Sequence, residues 1–108
     1  MGMLKLENKM ETKAKNVNEV LKAAKWMLEN VGWCQGNYTK YDGAGKPIGF
    51  CAAGAIEQVN ADYKLIDKAL TQFGTVVGES YIPSWNDKKE RTLPQVLKAF
   101  DKAIKAKR

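Results

Sequence analysis

Val17, Val20, Leu21, Ala24, Met27, Leu28 and Val31 recur at the i, i+3, i+4, i+7 spacing of one helix face, and the run carries stop signals at both ends. Asn16 followed three residues later by Glu19 reads as a capping box, in which the Asn side chain accepts the Glu19 amide while Glu19 reaches back. Gly32 closes the run as a residue able to take the left-handed conformation. A helix with one such stripe must bury it against other elements, so the chain is committed to packed helices.

The covering elements follow in order. Asn37 to Tyr41 is β-prone, Asp42-Gly43-Ala44-Gly45 is turn chemistry, and Lys46-Pro47-Ile48 returns, which predicts a short hairpin with Pro47 on an edge strand. A turn centred on Asp42-Gly43 pairs positions that sum to 85 and sets Cys34 opposite Cys51; a turn one residue later shifts the pairing by two. Either register makes the two thiols neighbours. Phe50 to Val59 reads as a short helix of small residues, in which Cys51, Ala52, Gly54 and Ala55 suit a close crossing. Gly54 within a helix costs about 1 kcal/mol relative to Ala, which points to a close approach of backbone or ligand.

Leu65, Ile66, Ala69, Leu70 and Phe73 form a third amphipathic face, closed by Gly74. Periodicity then disappears from Thr75 to Arg91. Thr75-Val76-Val77 reads as a short strand or a connection, and Trp85-Asn86-Asp87 is expected on irregular backbone. Thr92-Leu93-Pro94-Gln95 opens the last helix with a Thr cap, a first-turn proline and Gln95 at the capping-box position. Val96, Leu97, Phe100, Ala103 and Ile104 are its expected buried face. The fold class specified is mainly α with a minor α+β character: about four helices around one core, with a short β-hairpin between the first two. The 108 residues suit a single globular helical domain over 16–108, preceded by a basic leader over 1–15 read as a frayed helix or a disordered segment.

The chain contains no histidine, which removes Cys-His and Ser-His-Asp nucleophile systems and imidazole metal ligands. Two cysteines without further ligands make a poor zinc site, so neither a metal nor a cofactor is expected. No apolar run approaches the roughly 20 residues of a membrane span, and the N-terminus lacks the apolar core of a signal peptide. A cytoplasmic protein with reduced thiols and no membrane contact is the expectation.

The net charge of +6 suggests nucleic acid until it is divided by position. Residues 1–16 hold four lysines against two glutamates, residues 98–108 hold five basic residues against one aspartate, and the body between carries nine of each sign. The excess therefore sits at the ends. Lys98, Lys102, Lys105, Lys107 and Arg108 read first as a solubilising end and second as a weak nucleic-acid contact.

Three clusters stand at helix junctions: Gly32-Trp33-Cys34-Gln35-Gly36, Cys51-Ala52-Ala53-Gly54-Ala55 and Trp85-Asn86-Asp87. With the Asp42 to Pro47 turn and Phe100, Asp101, Ala103 and Ile104 in the last helix, this order of motifs over roughly residues 17–105 resembles a family of small bacteriophage and bacterial proteins with no known activity. The resemblance implies a domain and a phage or prophage origin, without a mechanism. The lysine-rich leader falls outside it.

The blandest reading of the clusters is structural. Cys34 and Cys51 suit inert core thiols, or else a redox pair; Trp33 and Trp85 suit satellite-core aromatics; and Asn86 and Asp87 suit turn formers. The sharper reading joins Trp33, Cys34, Gln35, Cys51, Trp85, Asn86 and Asp87 into one binding cluster, with no catalytic residue assigned. Three functions follow. The first is a non-enzymatic phage-type interaction or regulatory protein that binds a host or phage protein, or a second copy of itself. The second is a nucleic-acid accessory acting through its basic ends. The third is a small-molecule binder or enzyme at Cys34, Gln35, Trp85, Asn86 and Asp87.

Overall fold

A computed structural model describes residues 12–106. The amphipathic run forms α1, Val17–Asn30. Asn16 Oδ1 accepts the Glu19 N–H at 2.9 Å, and Glu19 Oε1 accepts the Lys15 N–H at 2.8 Å, so the return arm of the expected box goes one residue further back. Gly32 ends the helix, but not in the left-handed helical conformation. Its φ of 148° extends the chain, and a Cβ there would collide with the Ile48 carbonyl. The stop is thus imposed by a neighbouring strand.

The hairpin joins β1, Thr39–Tyr41, to β2, Pro47–Phe50. Thr39 pairs with Phe50 and Lys40 with Gly49, and a bulge then brings Tyr41 opposite Pro47. The two pairs before the bulge sum to 89, which corrects the register expected from the turn. The cause is Asp42, whose Oδ1 accepts the amides of Ala44 at 2.8 Å and Lys46 at 2.9 Å and so builds a wider loop. Those two N–H groups also hold the Asp42 carboxyl below the usual carboxylate range. Cys51 consequently faces Tyr38, to whose carbonyl it donates at 3.1 Å.

The small-residue helix is α2, Ala52–Gln58, and Cys51 lies just outside it as the N-cap, with Sγ accepting the Gly54 N–H at 3.2 Å. Gly54 is where the Tyr38 carbonyl lies against the helix, and a built Cβ would overlap it. The next helix, α3, is Tyr63–Val77. Gly74 does not close it: residues 75–77 are its last turn, and Gly78 caps it at φ 75°. Gly74 remains interior because Glu79 crosses there, its carbonyl 2.9 Å from a built Cβ. Trp85 and Asn86 lie not on irregular backbone but in a one-turn helix α4, Ile82–Asn86, started by Pro83 and ended by Asp87. Five residues are too few to show periodicity, which is why this segment reads as loop. The last helix is α5, Leu93–Lys105, with both arms of the Thr92–Gln95 capping box formed.

Five helices and one two-stranded sheet thus make up the described residues, mainly α with the hairpin between the first two helices. The core lies where α1 packs on α2, α3 and α5. Phe73 occupies its centre, edge-on to Trp85 at 5.4 Å between centroids and tilted on Phe100 at 4.6 Å. On α5 the fully buried side is Val96, Ala99, Phe100 and Ala103, while Leu97 and Ile104 are only partly covered. Buried Gln72 ties α3 to α5 through a bond to the Ala103 carbonyl. Of the leader, residues 1–11 lie outside the described residues. Ala14 is buried against the core and donates its N–H to the Asn60 carbonyl at 2.8 Å. No helix among the described residues is long and apolar enough to cross a membrane.

The crossing at Gly54 sets a testable cost. Gly54→Ala forces the Tyr38 backbone away from α2 and is expected to destabilise by about 3 kcal/mol, the upper part of the usual overpacking range. Gly78→Ala meets open space and is expected to cost only about 1 kcal/mol through its positive φ. Urea denaturation of the two variants checks the order.

Candidate functional site

The three clusters converge on the Asn86 side chain. β2 carries a second neighbour on the side away from β1: Phe50 donates to the Gly32 carbonyl and Cys34 donates to the Phe50 carbonyl, both at 3.0 Å, which makes a parallel bridge between Trp33 and Phe50. Continued by one step, that ladder would bond the Ala52 N–H to the Cys34 carbonyl. The Asn86 carboxamide stands between them instead. Its Oδ1 accepts the Ala52 N–H at 3.0 Å and its Nδ2 donates to the Cys34 carbonyl at 3.1 Å. A carboxamide has the donors and acceptor of a peptide unit, so Asn86 acts as an inserted piece of backbone.

Asn86 uses its remaining capacity as well. Oδ1 also accepts the Trp33 indole N–H at 2.7 Å, and Nδ2 also donates to Asp87 Oδ1 at 2.9 Å. Two acceptor bonds and two donor bonds saturate the group, which is fully buried. The periphery closes over it. Gln35 Nε2 donates to the carbonyls of Asn86 at 3.0 Å and Lys88 at 2.9 Å, and Asp87 Oδ1 accepts the Gly36 N–H at 3.1 Å. Among the described residues no buried side-chain nitrogen or oxygen lacks a partner.

Trp33, Cys34, Gln35, Asn86 and Asp87 are therefore brought together, with Cys51 one residue from the bond to Ala52. Trp85 turns the other way. Its ring meets Phe73 in the core, and on its other side the Arg91 guanidinium lies 4.0 Å from the ring centroid while Arg91 Nε donates to the Trp85 carbonyl at 3.0 Å. Arg91 escaped the sequence reading because a cation six residues from an aromatic has no signature until a turn folds it back. Lys98, Lys102 and Lys105 lie exposed on α5, distant in kind from this buried cluster, and Lys107 and Arg108 lie outside the described residues.

Both cysteines are free and buried. Burial, and then the Asp87 carboxylate, push the Cys34 thiol above the ordinary thiol range. Burial pushes Cys51 up as well, against the pull of the Gly54 and Ala53 amides, with Cys34 and Asp87 adding to the rise. Both sulfurs are thus protonated at neutral pH and are poor nucleophiles. No group of three potential metal ligands occurs among the described residues. Chemically, the arrangement holds backbone segments together.

Two measurements follow. Asn86→Leu keeps the volume but orphans the Trp33 N–H, the Ala52 N–H and the Cys34 carbonyl, each costing about 1–3 kcal/mol when buried, so a loss of roughly 4 kcal/mol in chemical denaturation is expected. Asn86→Asp keeps the acceptor and is expected to lose nearly as much, since it loses the donor to Cys34 and sets a carboxylate beside Asp87. The thiols set the pH dependence. Their folded-state pKa values are raised above the unfolded ones, so stability is full below the ordinary thiol range and is lost as pH rises through the folded values. Denaturation midpoints are expected to be level between about pH 6 and about pH 8 and to fall above about pH 9, with a shallower fall in Cys51→Ala.

Neither a curated protein nor a solved structure matches the chain. One family model does, over residues 12–106, almost the whole length and all of the residues that the Asn86 network ties together. The chain belongs to that family, a family of unknown function (DUF6197).

Proposed function

We propose that this chain is a small non-enzymatic interaction protein of phage or bacterial origin that binds a host or phage protein partner in the bacterial cytoplasm. The observation that carries this reading is a contrast between two sets of conspicuous side chains. The buried polar groups of the motif cluster are consumed by one another, whereas the hairpin and its neighbourhood present Tyr38, Tyr41, Ile48 and Tyr81 at 44–60% exposure. Tyr81 stands close enough to Tyr38 to raise its pKa, so two large amphipathic rings lie side by side at the surface. Tyrosine gives large contact area for little side-chain entropy, which is why it is enriched at protein interfaces.

A second reading, contact with nucleic acid, is favoured by α5. Lys98, Lys102 and Lys105 follow one another at spacings of four and three, are exposed, and none forms an ion pair among the described residues. That spacing gives one cationic helix face.

One comparison separates the readings. The full chain, Tyr38→Ser/Tyr41→Ser and Lys98→Gln/Lys102→Gln/Lys105→Gln are each cross-linked in host extract and titrated with a single-stranded oligonucleotide. The protein-partner reading expects a specific cross-linked protein that is lost in the tyrosine variant and kept in the lysine variant; capture indifferent to the tyrosines overturns it. The nucleic-acid reading expects a salt slope reduced by roughly 2 in the lysine variant. Absence of oligonucleotide binding at low salt ends that reading.

A further inference from the structure

We infer that Cys34 and Cys51 form a disulfide site, at which a peroxide joins the two sulfurs and locks the Gly-Trp-Cys-Gln-Gly turn to the start of α2. The inference rests on backbone register. The parallel bridge sets residue 33 beside residue 50, so residue 34 stands one step along the same ladder as residue 51. Paired strands run about 4.8 Å apart, and a disulfide joins Cα atoms about 4.4–6.8 Å apart. The Asn86 carboxamide, bonded to the Cys34 carbonyl and the Ala52 N–H, keeps the two segments side by side just beyond the bridge.

Side-chain direction agrees. Residues one step past a bridged pair leave the ladder on the same face, so Cys34 and Cys51 share the face opposite to Trp33 and Phe50. A separate contact reports the same face. A Cβ built on Gly49, two residues before Cys51 and hence on its side of β2, would lie 3.4 Å from Cys34 Cβ. Cys34 Sγ donates to the Asn37 carbonyl at 3.4 Å and Cys51 Sγ accepts from Gly54 at 3.2 Å, both weak sulfur hydrogen bonds.

Exposure assigns the order of steps. Cys34 is 9% exposed and Cys51 1%, so Cys34 meets the oxidant first. Its sulfur attacks one oxygen of hydrogen peroxide, the O–O bond breaks, and a sulfenic acid and one water result. The Cys51 sulfur then displaces the sulfenic hydroxyl, which leaves as a second water with the Cys51 proton. Two thiols are oxidised to one disulfide and one peroxide is reduced to two waters. Burial makes the first step slow, so the site responds to sustained oxidant and not to a brief exposure.

The full chain is treated with hydrogen peroxide in native buffer, quenched, and examined by intact mass and peptide mapping. The expected result is loss of the mass of two hydrogens, a peptide linked through Cys34 and Cys51, and reversal by dithiothreitol. The linked chain is expected to melt roughly 10 °C higher, because the bond closes a loop that holds the whole hairpin. Cys34→Ser, which leaves the Cys51 cap in place, removes the mass loss. A sulfinic acid on either cysteine, a linked dimer, an unchanged mass, a bond that forms only in denaturant, or a linked chain that melts lower than the reduced one overturns the proposal.

Discussion

The Asn86 carboxamide joins three distant parts of the chain. It bonds to Trp33 and Cys34 after α1, to Ala52 at the start of α2, and to Asp87 at the end of α4. Each of these bonds contributes about 1 kcal/mol net, but each partner left unpaired in the interior costs more than the bond supplies. The network is therefore cooperative in a practical sense: it is stable complete and costly with any member missing. The short helix α4, which has too few residues to persist alone, holds its shape because its last residue is fixed in this way.

The same network explains why tryptophan, cysteine and asparagine gather at helix junctions without forming an evident reactive centre. The Trp33 indole nitrogen is spent on Asn86, the Gln35 amide on two carbonyls, and Asp87 on Gly36 and Asn86. The sulfurs are set deep enough that the protonated form prevails. What is offered outward lies elsewhere, on the tyrosines around the hairpin and the lysines of α5. The family match over residues 12–106 spans this scaffold of buried bonds together with the exposed tyrosines and lysines.

Legibility followed the range of the interactions. Both flanking helices were readable because their caps are local: Asn16 with Glu19, and Thr92 with Gln95, are bonds across three residues. Gly54 announced a close approach, and the Tyr38 carbonyl supplies it. The end of α3 was misread because Gly74 carries the usual mark of a helix stop while the actual cap is Gly78, four residues on. Gly74 is needed for Glu79 to pass, a packing demand that looks the same in sequence as a terminus. The hairpin register was misread because the Asp42 carboxylate enlarges the loop, and a change in loop size moves every pair.

The sequence by itself determined the helical class, the hairpin's place between the first two helices, the N-terminal caps at Asn16 and Thr92 and the lack of imidazole chemistry, because period, capping and composition act within a few residues. Only the tertiary structure decided that Cys34 reaches Cys51 along a parallel ladder on the far side of β2, that Trp85 faces the core while Asn86 replaces a peptide unit, and that Arg91 covers the indole. Those arrangements join residues that lie far apart in the chain or on opposite sides of one short turn. They arise from satisfying buried backbone donors and acceptors, a requirement that exists only once the elements have packed.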